Sequence, residues 1–122
     1  MDSSIFVTAE LKIQDGIDRE QTIKAIEQFC LDMQSEEGCL QATASYDSED
    51  LQRVILWERY QDKAAIQAHF VMPHTQAFID RGLTTLVQVF QTQCQSQSQS
   101  QSQSQSQSQK SSSETNKEGT AV

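Results

Sequence analysis

The sequence predicts an antiparallel α+β domain whose elements run β-α-β-β-α-β along the chain. Three observations predict it. Apolar residues alternate in four segments, they recur at three- and four-residue spacing in two helical regions, and polar or glycine-bearing turns separate these stretches. The pattern occupies residues 1–94, after which the composition changes abruptly.

From Ile5 to Ile13, Ile5, Val7, Ala9, Leu11 and Ile13 take one face, while Phe6, Thr8, Glu10 and Lys12 take the other, as in a strand. Asp15-Gly16 turns the chain, and Asp18 with Gln21 three residues on has the form of a capping box. Ile23, Ile26, Phe29, Cys30 and Met33 then share one stripe of a helix over roughly residues 19–36. Gly38 is expected to stop that helix in a left-handed conformation. Leu40, Ala42, Ala44 and Tyr46 alternate as a second strand, and a third runs from Gln52 to Tyr60. The polar turn Asp47-Ser48-Glu49-Asp50 between them is short enough to imply an antiparallel hairpin. Asp62 caps a second helix whose inner face carries Ala65, Ile66, His69 and Phe70. Pro73 ends that helix and suits the first turn of another, with His74, Ala77 and Phe78 facing inward. Gly82 closes it, and Thr84 to Thr92 is the last strand. The order is that of a split βαβ, ferredoxin-like domain whose second helical region is broken at Pro73.

Residues 95–122 form a second region. Gln and Ser alternate from Gln95 to Gln109, and Ala121 and Val122 are the only apolar residues after Cys94. Neither face of such a segment can seek a core, so burial cannot offset about 1–2 kcal/mol of backbone entropy per residue, and a disordered tail is expected. The whole net charge of −8 belongs to the first 94 residues, with seven Lys and Arg against fifteen Asp and Glu. An acidic domain lacks the electrostatic footprint for nucleic acid, and no apolar run approaches membrane-spanning length. The N-terminus does not read as a secretory signal, and Cys30, Cys39 and Cys94 form no CxxC pair. The expectation is a cytoplasmic protein with free thiols.

The third strand has Val54, Leu56 and Tyr60 on one side and Ile55 and Trp57 on the other, and the last strand is apolar on both sides. Helices can cover only one face of such a sheet. A second subunit is the simplest cover for the other face, so a homodimer is expected, with scattered surface hydrophobes as the alternative.

One constellation has the character of a chemical site. Glu58 falls on the more apolar side of the third strand and His69 in the apolar stripe of the second helix. If that helix packs on that face, a carboxylate meets an imidazole and raises its basicity, which makes a usable general base. The competing reading is a core histidine satisfied by a buried glutamate. His74, just after Pro73, is equally compatible with capping. No metal site is expected, because two histidines five apart across a proline do not share a helical face and no HExxH or carboxylate cluster accompanies them. Nucleotide-binding and hydrolase motifs of the GxGxxG, GxxxxGK and GxSxG types are absent from the sequence.

The stretch Val54-Ile55-Leu56-Trp57-Glu58-Arg59-Tyr60, followed by Asp62, Ala64-Ala65-Ile66, Ala68-His69-Phe70, Pro73-His74 and Ala77-Phe78, resembles the antibiotic biosynthesis monooxygenase superfamily. Glu36-Glu37-Gly38-Cys39 is similar to the junction that closes the family's first helix. The resemblance implies a dimeric α+β barrel with a hydrophobic pocket between helices and sheet. The branch it most resembles oxidises quinols with O2 and needs no flavin, haem or metal, so no cofactor is implied. By that likeness His69 and Glu58 are base and orienter, and Val7, Ala9, Tyr60, Phe70, His74 and Phe78 are pocket walls. Haem-degrading relatives carry an Asn where Ala9 aligns and a Trp near the position of His69, so haem degradation is not implied. Two alternatives stay open: an enzyme processing a phosphorylated quorum-sensing signal of the autoinducer-2 type, and a non-catalytic dimeric small-molecule-binding protein. An acidic surface would repel a phosphorylated substrate but not a neutral quinol.

Overall fold

The structure is a computed structural model that describes residues 3–95. The disordered tail expected from residue 95 onward lies, except for Gln95, outside the described residues. Seven elements follow one another: β1 (Ile5–Ile13), α1 (Arg19–Gln34), β2 (Cys39–Tyr46), β3 (Arg53–Tyr60), α2 (Lys63–Phe70), α3 (Pro73–Asp80) and β4 (Thr84–Thr92). The fold class is the ferredoxin-like α+β arrangement that the alternation predicts, with its second helical region split into α2 and α3.

The four strands form one antiparallel sheet in the order β2-β3-β1-β4. Period-two alternation puts Ile5, Val7, Ala9, Leu11 and Ile13 of β1 and Val54, Leu56, Glu58 and Tyr60 of β3 on the buried face. Helix α1 covers that face with Ala25, Ile26, Phe29, Cys30 and Met33. Each of its large apolar side chains contributes about 1.5–3 kcal/mol by leaving water. Thr22 is buried where Ile23 was expected, because its hydroxyl satisfies itself on the Asp18 carbonyl at 2.9 Å. The capping box does not form: Asp18 stands at the N-cap but its side chain makes no capping bond. Asp62 does cap α2, accepting from the Ala65 N–H at 2.9 Å.

Two strand positions depart from simple alternation. The β2–β3 register shifts between Cys39 and Gln41, and the β1–β4 register shifts between Glu10 and Leu11. Each bulge inserts one residue, so Leu40 and Val87 point to solvent rather than to the core. Gly38 is also not the left-handed helix stop that was expected; positive φ occurs at Gly16 (78°) and Gly82 (63°). Helix α1 ends at Gln34 instead, with Ser35 as a right-handed C-cap. Gly38 is needed for space: a Cβ there would run into the Ala65 side chain of α2 and meet Gln61 Cγ at 3.4 Å.

The sheet face away from the helices carries an apolar row. Thr8 is registered with Trp57 on one side and Phe90 on the other, and these two rings are 44% and 37% exposed. Phe6 lies on the same face beneath the Arg59 guanidinium, 5.1 Å from its ring centre.

Candidate active site

Three backbone segments deliver side chains to one point beneath the helices. The turn after α1 brings Glu36, α2 brings His69 in its last turn, and α3 brings His74 in its first. On one continuous helix, residues five apart would point about 140° away from each other. The break at Pro73, which is N1 of α3, removes that constraint. The two imidazoles then converge on one carboxylate, contrary to the expectation that the proline keeps them apart.

Oε2 of Glu36 lies 3.0 Å from Nδ1 of His69 and 2.5 Å from Nε2 of His74. Thr75 Oγ1 lies 3.3 Å from the same Nδ1 of His69. Glu36 is 7% exposed and His69 3%, whereas the His74 side chain is 22% exposed and marks the outer side of the cluster. A carboxylate only accepts hydrogen bonds, so each imidazole must present an N–H to it. His69 therefore carries its proton on Nδ1 and keeps the lone pair on Nε2, where no hydrogen bond is made among the described residues. Aromatic rings surround this imidazole, with the centroids of Phe70, Tyr60 and Phe29 at 5.1, 5.4 and 6.1 Å.

The carboxylate bonded to His69 is thus Glu36 and not Glu58. Glu58 is buried on β3 as the alternation implied, but it accepts the Tyr60 hydroxyl at 2.7 Å. Burial pushes its carboxyl above the usual range, against the opposing effects of the Tyr60 bond and the nearby His69. Glu36 escaped the sequence reading because a turn has no periodicity to place its side chains. Its one signal was membership of the Glu36-Glu37-Gly38-Cys39 junction. Thr75, not Ala77, is the buried residue of α3, and Ala77 faces solvent.

A cavity of about 200 Å³ is lined by Leu11, Phe29, Leu56, Phe78, Ile79, Thr84 and Leu86, and Phe29 links it to the aromatic surround of His69. Among the expected pocket walls, Phe78 borders it. Val7, Ala9 and Tyr60 belong to the packed core, Phe70 packs against that core, and His74 belongs to the histidine cluster. Phe29 and Phe78 stack in parallel at 4.4 Å, forming a cavity wall whose Phe29 ring is also 6.3 Å from that of His74. The thiols offer no nucleophile here: burial pushes Cys30 up to about 12 and Cys39 to about 11.

Residues 4–81 match the family described as antibiotic biosynthesis monooxygenase. The chain belongs to that family. The match spans Glu36, Glu58, His69, His74 and Phe78, so the whole cluster lies within the family domain. Among relatives, the Bacillus subtilis (strain 168) protein YjcS is 29% identical over 70 residues, covering 57% of this chain and 67% of its own. A solved structure of a protein named YJCS superposes with a TM-score of 0.71 at 25% identity, covering 76% of this chain and 100% of that one. A Deinococcus radiodurans structure, titled as a candidate antibiotic biosynthesis monooxygenase, gives a TM-score of 0.66 at 17% identity over 75% of this chain and 93% of its own. A Bacteroides thetaiotaomicron structure titled a possible oxidoreductase gives 0.67 at 18%, over 77% and 100%. At these last two identities the likeness is one of fold. No helix among the described residues is long and apolar enough to cross a membrane.

The family domain's second buried carboxyl has a measurable consequence. Because the folded protein raises the Glu58 pKa, its native state holds that proton more tightly than the unfolded chain. The associated stability is fully present below the unfolded value of about 4.3 and is lost as pH rises through the folded one. Glu58→Gln stays neutral and can still accept from Tyr60. It should melt higher than wild type at pH about 8 and lose the advantage at pH about 4. Parallel melting curves at all pH values would refute this.

Proposed function

We propose that this domain oxidises a small quinol or similarly electron-rich aromatic with O2, without a bound cofactor, and that His69 is the general base. The observation that carries this reading is the Glu36–His69 hydrogen bond, which leaves Nε2 of His69 without a hydrogen bond among the described residues, in an aromatic enclosure that shares Phe29 with an apolar cavity. His69 takes the proton of a ring hydroxyl, and Glu36 holds the imidazole and stabilises the charge it gains. The anion left in a dry site gives its electrons to O2 directly. For a hydroquinone the balance is one quinol and one O2 giving one hydroxyquinone and one water. The absence of a charged group from the cavity lining supports an uncharged aromatic substrate over a phosphorylated one. The test is oxygen uptake by chelator-treated protein over a panel of hydroquinones. Saturable uptake with stoichiometric quinone formation is expected. No uptake with any of them overturns the reading in favour of signal processing or non-catalytic binding.

The same reading includes a homodimer built through the apolar row of Trp57 and Phe90, and a cytoplasmic location in keeping with the free thiols. Trp57→Glu would bury an unpaired charge in such an interface at a cost of several kcal/mol. Light scattering should show a dimer for wild type and a monomer for the variant. A wild-type monomer at micromolar concentration would sink the dimer.

A further inference from the structure

Two imidazole nitrogens and one carboxylate oxygen, from three separate backbone segments, lie within 4.8 Å of one another at Glu36, His69 and His74. We propose that these three side chains form a binding site for one divalent transition-metal ion of the zinc, cobalt or iron(II) class. The donor set selects that class. Imidazole with carboxylate suits these ions, whereas magnesium and calcium favour oxygen-only shells. The spacing fits as well. Bonds of about 2.0–2.1 Å in a tetrahedral site put ligand atoms about 3.3 Å apart, and here Glu36 Oε2 is 3.0 Å from His69 Nδ1 and 2.5 Å from His74 Nε2. An ion requires these two contacts to open by less than about 1 Å, and the two histidine nitrogens, within 4.8 Å of each other, to settle at about the same separation.

The surroundings favour a cation and give it a way in. Glu36 and His69 are nearly enclosed, while His74 is partly exposed on α3 and so provides both the access side and the most movable ligand. The folded region carries the entire net charge of −8, which draws cations towards it. Three protein ligands leave a fourth position for water or a small molecule. Binding replaces two N–H···O hydrogen bonds by three metal–ligand bonds, with His69 using Nδ1 and His74 using Nε2, and the proton of each ring moving to its other nitrogen. The site therefore alternates between a free base and a metal-bound form.

The experiment is a titration of the full chain, free of any histidine tag and carrying Cys94→Ser to remove the exposed thiol, with Co(II). Visible d–d absorption should saturate at one ion per chain and be abolished by Zn(II) but not by Mg(II). Glu36→Gln and His74→Ala should each weaken binding at least ~10-fold. Melting curves check folding. If Glu36→Gln does not fold, the partly exposed His74→Ala decides. Absence of saturable Co(II) binding, or unchanged affinity in the folded variants, overturns the proposal. No quinol is present in this measurement, so its failure and the failure of the oxygenase reading are separately visible.

Discussion

His69→Ala is expected to lower quinol-dependent oxygen uptake by about 100-fold or more, the usual scale for losing a positioned general base. The effect should fall mainly on kcat, because the apolar cavity that would bind the ring is lined by other residues. The substitution also leaves Glu36 buried with one hydrogen-bond partner fewer, which costs about 1–3 kcal/mol. Melting temperature must therefore be followed in the same preparation. Comparison of the two glutamates makes the test specific. Glu36→Gln should lower turnover substantially, because the charge that supports the imidazolium is gone. Glu58→Gln should change turnover far less, because Glu58 bonds Tyr60 rather than His69. A folded His69→Ala protein with wild-type turnover, or equal losses at the two glutamates, would remove His69 and Glu36 from their roles.

Gly38→Ala is expected to be strongly destabilising, because Gly38 is the one described glycine at which a Cβ meets another atom within contact distance. The new Cβ would collide with the Cβ of Ala65, which is fixed directly to the α2 backbone and has no rotatable bond by which to swing away. Overpacking of this kind costs about 1–3 kcal/mol. In a domain of this size that is a fall in Tm of roughly 4–8 °C for each kcal/mol. The cause can be isolated with a compensating partner. Ala65→Gly alone should also destabilise, by about 1 kcal/mol of helix propensity. The double variant should be more stable than the two separate losses predict, since the collision is gone. Strict additivity would show that Gly38 matters for another reason.

Much of this architecture is legible in the sequence because buried strands and helices impose a period on their residues. Ile5 through Ile13 and Val54 through Tyr60 alternate cleanly and are buried as they alternate. His69 can be placed by its helical stripe for the same reason. The misreadings fall where periodicity stops carrying information. Leu40 looks inward until a bulge adds one residue to its strand. Ala77 looks buried until Thr75 takes the inner position with its hydroxyl satisfied beside His69. Glu36 sits in a turn, and only the packing of three non-consecutive segments makes it the partner of both histidines. Glu58 was the better candidate on pattern alone, and the Tyr60 hydroxyl two residues away had the prior claim on it.

The parallel pair Phe29 and Phe78, with planes only 4° apart, has a bearing on selectivity. Each ring already has a stacking partner, so a flat guest sliding between them exchanges one aromatic contact for two. A puckered or branched guest of equal volume would separate the pair and offer nothing equivalent in return. Offset-stacked ring contacts are worth about 0.5–1.5 kcal/mol each beyond their buried area. A guest bound at this wall would thus gain that margin for being flat before any proton is moved.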